Sequence, residues 1–424
     1  MSRIKSVKGT REFYPEDMAL RNYLYEKVRA ASQSFGYQEY DGPFIETIDL
    51  YAAKSGEELV KKQSFTFQDR GGEFVTLRPE LTPSLARMIA ARQGELTYPL
   101  RWWSFGPFWR YEQPQKGRTR EFFQWNIDIL GVAAAEADAE LIAVAASFLR
   151  SVGLSPQLAT IYVNNRRLME SEFDVLAIPP GKRLEVSNLI DRRSKMEPAK
   201  WDAYALETGL TEGQREELKK VLVDFDLWKK SEELTRLFAA LDALGVREYV
   251  KFDPNVVRGL LYYTGTVFEA LDPSGSLKRS ILGGGRYDNL LEDVGGAPLS
   301  GMGFAMGDVG ISIVLKENGL LPELAQNPAP VMITVFDESL LLQSFTLAAD
   351  LRKEGLNVMV YPEVAKLQKQ FKFADKMKMK AVLVLGPDEA AKNQVVVKNL
   401  SNGEQMAVTR ESLVDMIRQV VGQA

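Results

Sequence analysis

The sequence contains no cysteine and no histidine in 424 residues. The first absence excludes disulfides, thiolate nucleophiles and cysteine-based zinc sites. The second removes histidine general bases, Ser-His triads and imidazole-ligated metals. Any chemistry must therefore be carried by carboxylates, Arg, Lys, Tyr, backbone groups or an oxygen-bound ion such as Mg²⁺. A strong charge of one sign is also missing: 53 Lys and Arg stand against 57 Asp and Glu, a formal −4. Any nucleic-acid contact must then come from local patches, not from the overall field. No apolar run approaches the length of about 20 residues that crosses a bilayer. The opening stretch MSRIKSVKGTREFYP has no apolar core of the kind a secretory signal carries. The chain reads as cytosolic, with no membrane partner. Its length exceeds one typical core and predicts two or three domains.

What is present is organised around Arg101 to Gly131. Trp102 to Arg110 is aromatic-rich and predicts a strand. Glu112 to Arg118 breaks the pattern with Pro, Gly and charge. Glu121 to Leu130 returns as a strand in which Phe123, Trp125, Ile127 and Leu130 are apolar, while Gln124, Asn126 and Asp128 share one face. A solvated face on an ordinary hairpin is one reading of those polar residues. The loop and its flanks, however, carry Arg110, Lys116, Arg118 and Arg120. That is a candidate clamp for a polyphosphate, because guanidinium forks match phosphate oxygens two at a time.

This stretch resembles motif 2 of class II aminoacyl-tRNA synthetases, and FWRYEQPQKGRTREFFQ (108–124) is similar to the histidyl-tRNA synthetase version. Other segments agree, in the family's order. Leu20, Leu24, Val28, Ala31 and Phe35 predict a helix stopped at Gly36, followed by a strand from Tyr37 to Thr47 interrupted at Gly42-Pro43. That pair resembles motif 1, which builds the dimer interface in the family, so the resemblance implies a homodimer. Phe74 to Leu77 predicts a short strand ending in Arg78-Pro79-Glu80-Leu81-Thr82-Pro83, with a helix from Ser84 to Arg92. Read alone, Glu80 is a helix N-terminal charge. The resemblance implies that this segment holds the ammonium group of an amino acid.

Past motif 2, Leu141, Val144, Ala145, Phe148, Leu149 and Val152 form a core stripe ending at Gly153, and about 165–250 reads as an inserted module of charged helices. Arg258-Gly259 and Tyr262-Tyr263-Thr264-Gly265, then a strand from Thr266 to Leu271, suggest a loop shaped around a small polar ligand. The segment resembles the family's RGLDYYTGTVFE, with Leu261 where Asp is usual. Ile281 to Asp288 resembles the second histidine-specific segment, GGGRYD. Its glycines lack the setting of a dinucleotide loop and let backbone approach a ligand or a neighbouring strand. Gly301 to Gly310 resembles motif 3, which normally ends in Glu-Arg, the Arg holding the γ-phosphate of ATP. Here Val309 and Gly310 stand in those places, so either another cation, Arg286 or a motif 2 arginine, carries that load or activation is weakened.

Leu320 to Pro330 reads as a linker. Beyond it strands (Val331–Phe336, Val358–Tyr361, Ala381–Leu385, Val395–Lys398) alternate with helices (Ser339–Lys353, Leu367–Met379, Arg410–Val421), which predicts an α/β domain with a partly parallel sheet. This region resembles the anticodon-binding domain of several class II synthetases. Lys366, Lys369, Lys372, Lys376, Lys378 and Lys380 make a cationic stretch suited to RNA phosphates.

The expected architecture is an α+β catalytic domain with an antiparallel sheet, of the class II synthetase type, over 1–325, and a C-terminal α/β anticodon-binding domain over 326–424. The activity the resemblance implies is ligation: histidine and ATP give histidyl-adenylate and pyrophosphate, and the histidyl group passes to the terminal ribose of tRNA(His). ATP is a substrate, with Mg²⁺ bridging its phosphates. That chemistry suits a chain without His or Cys, since the amino-acid carboxylate is itself the nucleophile. In-line placement and neutralisation of charge on the α-phosphate are what remain to be supplied. On this reading Arg110 and Arg258 are the catalytic cations. Glu112 contacts the adenine and Arg118 the distal phosphates. Glu80, Leu81, Thr82 and Gln124 surround the ammonium group, and Asp128, Tyr262 and Tyr263 the imidazole. No protein metal ligand is expected. Gln113 replaces an Arg that the family links to reading the first base pair of the tRNA. The departure in motif 3 favours an alternative, a non-catalytic synthetase-like regulatory subunit of ATP phosphoribosyltransferase.

Overall fold

The aromatic-rich hairpin is the spine of the larger sheet. In the computed structural model, which describes residues 4–52, 62–257, 263–275, 277, 279–289, 291–324 and 327–422, Leu100–Trp109 pairs antiparallel with Glu121–Leu130, from Leu100 opposite Leu130 to Trp109 opposite Glu121. Gly301–Gly307 lies on the other side of the second strand and sets Gly303 opposite Asp128. Among the described residues the sheet has eight strands, in the order Gln38–Glu39, Leu100–Trp109, Glu121–Leu130, Gly301–Gly307, Leu282–Tyr287, Thr266–Leu271, Thr160–Asn165 and Val250–Phe252. Its interior is antiparallel, as expected; the two edge pairings are parallel.

The glycines of the GGGRYD segment sit inside this sheet, not in a loop. A Cβ at Gly284 would fall 2.1 Å from the Gly303 carbonyl oxygen, and one at Gly285 would fall 2.8 Å from that of Thr266. Close approach of a neighbouring strand is therefore what those two positions require.

On the back of the sheet lies the helix Ala135–Ser151. The sequence shows one apolar stripe, but Ile142, Ala143 and Ala146 are as buried as Leu141 and Phe148. The helix is wrapped: Trp125 of the sheet meets Phe148 at 5.3 Å between ring centroids, and the helix Glu232–Ala243 of the insertion packs against it. That insertion hangs between the adjacent edge strands Thr160–Asn165 and Val250–Phe252. It has its own core, which includes Phe173, Leu189, Trp201 and Leu218.

At the front, the first helix runs Pro15–Ser34 and stops at Gly36, whose φ of +79° suits glycine. The strand expected from Tyr37 to Thr47 is split around Gly42-Pro43 into Gln38–Glu39, in the large sheet, and Ile45–Thr47, in a small sheet with Phe74–Leu77 and Phe65–Gln68. Arg78, fully buried, fastens this region to the hairpin. Its guanidinium bonds Asp41 at 2.5 Å, its Nε donates to the Pro107 carbonyl at 2.9 Å, and Phe44 and Phe108 cover its faces. Gly106 leaves the space that Arg78 fills.

Two compact units divide the chain, Met1–Glu12 with Arg21–Pro322 and Phe13–Leu20 with Glu323–Ala424. In the second, the sheet order is Val358–Val360, Val331–Ile333, Ala381–Val384, Gln394–Asn399 and Gln405–Thr409; the first three strands are parallel, the last two antiparallel additions. The edge strand Gln405–Thr409 was not expected, because Val408 is its one buried side chain and no alternation marks it. Among the described residues no helix is long and apolar enough to cross a membrane.

Candidate active site

The polar face of the strand Glu121–Leu130 is not solvated. Gln124, Asn126 and Asp128 are each less than 10 % exposed and line a cavity of about 340 Å³. The neighbouring strand makes room for them. A Cβ at Gly303 would fall 2.0 Å from Asp128 Oδ1, so only glycine opposite Asp128 leaves its carboxylate in place. The Tyr287 hydroxyl donates to the same carboxylate. Burial pushes the Asp128 carboxyl up to about 7, against the lowering effect of the Tyr287 hydrogen bond. Beside it Gln124 Nε2 donates to Asn126 Oδ1 at 2.9 Å.

The mouth of this cavity is formed by the segment after Phe74–Leu77. Glu80 and Thr82 line it, while Leu81 between them is 1 % exposed and is not among the lining residues. The helix Thr82–Arg92 is pinned there from below. Ser84 and Arg87 both donate to Glu46 of the small sheet, at 2.8 and 2.7 Å. Tyr263, buried, lines the cavity from the segment before Thr266–Leu271.

A second cavity, of about 170 Å³, adjoins the first, and Arg110, Gln124, Ser280, Ile281 and Gly307 line both. Its other walls include Glu112, Arg118, Arg279, Val309 and Gly310. Arg110 is held at the junction: its Nε donates to the Pro79 carbonyl at 2.9 Å, and its guanidinium lies 5.4 Å from the Phe122 ring centroid. Arg118 Nε pairs with Glu112 at 2.6 Å. Three guanidiniums thus face this cavity against one lining carboxylate, a wall that favours an anion.

The other two cations of the expected clamp face elsewhere. Lys116 pairs with Glu317 at 2.7 Å, and Arg120 lies 4.0 Å from the Tyr111 ring centroid. Arg258 and Tyr262 lie outside the described residues. Arg286 is corrected: it is no phosphate ligand. It is 3 % exposed, ion-paired with buried Asp138, and donates to the Val132 carbonyl at 3.0 Å and the Ser300 hydroxyl at 2.6 Å. Its strand alternates, so Tyr287 points into the cavity and Arg286 into the back layer. That same alternation was the available signal for Tyr287, which the sequence reading missed. Asn126 shared a face with two residues singled out. Arg279 carried no signal beyond being a cation before a glycine run.

A histidyl-tRNA synthetase family model matches residues 9–308, and an anticodon binding domain model matches residues 330–420. The chain belongs to the histidyl-tRNA synthetase family. It is 36 % identical over 427 residues to the histidine–tRNA ligase of Leptospira biflexa, covering 98 % of this chain and 97 % of that one. The crystal structure of histidyl-tRNA synthetase from Nostoc sp. superposes with a TM-score of 0.87 at 26 % identity, over 99 % of this chain and 100 % of that one. A protein described as an ATP phosphoribosyltransferase regulatory subunit/histidyl-tRNA synthetase, from Bacillus halodurans, has a TM-score of 0.72 at 22 % identity over 88 % of this chain and 97 % of that one, a likeness of fold alone. As a member of the family this chain is a ligase with a class II catalytic sheet and a C-terminal anticodon-binding domain.

Proposed function

We propose that the chain activates L-histidine with ATP and transfers it to tRNA(His), with 1–325 as the catalytic domain and 326–424 reading the tRNA. The observation that carries this is the pair of adjoining cavities with Arg110 at their junction, one floored by Asp128 and Tyr287, the other walled by arginines. Histidine occupies the first cavity. Glu80, Thr82 and Gln124 receive its ammonium, and Asp128 with Tyr263, Tyr287 and Tyr262 fixes its imidazole. ATP occupies the second as its magnesium complex, in which the ion would supply neutralisation of the phosphate charge beside Arg110 and Arg118. Glu112 contacts the adenine and Arg118 the distal phosphates.

The histidine carboxylate attacks the α-phosphorus, its oxygen forming the new P–O bond as pyrophosphate leaves with the electrons of the broken one. Arg110, with Arg258 as a second cation, neutralises the charge that builds on the α-phosphate. No side-chain base is required, since the nucleophile is already ionised. A polar pocket left without ring nitrogens loses about 1–3 kcal/mol per unmet partner, which is how Asp128 and the tyrosines reject other amino acids.

The chain acts in the cytoplasm as a homodimer. Phe44, Ile45, Phe67 and Phe74, on and beside the small sheet, are exposed apolar side chains that suit a second copy; sedimentation of a Phe67→Glu, Phe74→Glu variant as a monomer is the expected check. The regulatory reading keeps one observation in its favour, Val309 and Gly310 in motif 3. Histidine-dependent ATP–pyrophosphate exchange separates the two: the ligase exchanges, a regulatory subunit does not.

A further inference from the structure

The second cavity has an arginine that no motif supplies. Arg279, in the segment before the strand Leu282–Tyr287, lines it together with Arg118, Val309 and Gly310. Among the described residues Arg279 has no carboxylate ion pair; its Nη1 donates to the Gly117 carbonyl at a long 3.3 Å. Burial and the neighbouring Arg118 charge hold its pKa below the usual value, partly offset by Glu112. A partly buried guanidinium beside a second one, in a cleft, is a group suited to an anion.

Its placement relates it to the departure in motif 3. Leu277, two residues before Arg279, packs on both Gly117 of the motif 2 loop and Gly310. A Cβ at Gly117 would meet Leu277 Cδ1 at 3.2 Å and Arg279 Cδ at 3.9 Å; one at Gly310 would meet Leu277 Cδ2 at 3.4 Å. The segment carrying Arg279 therefore lies beside the start of the helix Asp308–Glu317, where a side chain from residue 310 would emerge. Of the other cations considered for this duty, Arg286 is locked to Asp138, and Arg118, which contacts the distal phosphates in the reading above, shares its guanidinium with Glu112 and leaves room for a second cation.

We propose that Arg279 binds the distal phosphates of ATP and the leaving pyrophosphate, entering the cavity from the side of Gly310 and performing there what an arginine at position 310 would do. The assignment rests on the ligase reading above and adds a phosphate-binding residue to it.

Exchange kinetics on the full chain test it. Arg279→Ala is expected to raise the KM for ATP and for pyrophosphate about tenfold or more. The KM for histidine and inhibition by AMP stay at wild-type values, because AMP has no distal phosphates. Adding Gly310→Arg to Arg279→Ala restores most of the loss, since it returns a guanidinium to the same cavity. Wild-type ATP and pyrophosphate kinetics in Arg279→Ala overturn the assignment. So does equal weakening of AMP and ATP, or a double variant that melts like wild type and recovers nothing. A wild-type chain without exchange activity removes the ligase reading instead. Calorimetric binding of ATP against AMP, in wild type and Arg279→Ala, then decides the role of Arg279 by itself.

Discussion

The Tyr287 hydroxyl donates to the Asp128 carboxylate inside a cavity where both side chains are buried. Burial raises the folded pKa of Asp128 from the ordinary carboxylate value to about 7. A raised carboxyl pKa means that the folded state binds the proton more tightly than the unfolded chain does. The stability it contributes is fully present below the ordinary carboxylate pKa and is lost as pH rises through about 7. Asp128→Asn mimics the protonated form. Without histidine, the melting temperature of wild type should therefore fall relative to that of Asp128→Asn between pH 5 and pH 8. On the proposed placement of histidine the ionised carboxylate is the useful one, because it would accept the imidazole N–H. The KM for histidine should fall as pH rises through about 7, and Asp128→Asn should lack that component. Equal pH profiles in the two proteins would place Asp128 outside the imidazole contact.

Gly303 sets a geometric condition on the same carboxylate. Its Cα is one strand away, and an added Cβ would fall 2.0 Å from Asp128 Oδ1 and 3.1 Å from the Ile127 carbonyl oxygen. Gly303→Ala should displace Asp128 and raise the KM for histidine about tenfold or more, the scale of a hydrogen bond to a charged group. The KM for ATP should hold, because Gly303 does not line the second cavity. Exchange kinetics at varied histidine and varied ATP read both values.

Three arginines should separate folding from chemistry. Arg286 and Asp138 form an ion pair with both side chains more than 95 % buried, and breaking such a pair leaves an uncompensated charge, at about 3–5 kcal/mol. Arg286→Ala should lower the unfolding free energy by that scale, read as a lower urea midpoint. Arg110→Ala should leave the midpoint near wild type and abolish histidine-dependent exchange, and Arg258→Ala should do the same. Urea titrations beside exchange assays on all three variants distinguish the roles.

Much of this was legible in the sequence where a period of two governs. The hairpin strands, and the shared face of Gln124, Asn126 and Asp128, follow from alternation. Burial of that face was not legible, because it depends on Gly303 and Tyr287, which come from strands far along the chain. Arg286 looked like a ligand contact beside its glycines, yet its partner Asp138 lies 148 residues earlier. Arg279 sits in an irregular segment, where no period indicates which way a side chain points. The edge strand Gln405–Thr409 was illegible for a related reason: it buries too little to show a pattern.

In the C-terminal domain, not every lysine is available to RNA. Lys369 pairs with Glu363 at 2.7 Å, and Lys380 Nζ donates to the Val421 carbonyl at 2.7 Å. Lys366, Lys372 and Lys376 are exposed on or beside the helix Leu367–Lys376. Lys366 precedes that helix, where the dipole disfavours a cation, so packing gives it no reason to be basic. Changing these three to Gln should raise the KM for tRNA and flatten its log–log salt dependence by about two units. ATP–pyrophosphate exchange, which needs no tRNA, should be unchanged.

The most direct measurement is transfer itself: the purified chain, ATP, magnesium and unfractionated tRNA, with each of the twenty amino acids supplied in labelled form in turn. The account predicts acid-precipitable label with histidine alone, on a single tRNA species, and its loss in Arg110→Ala. Label from another amino acid, or none from histidine while the chain remains folded, would contradict it.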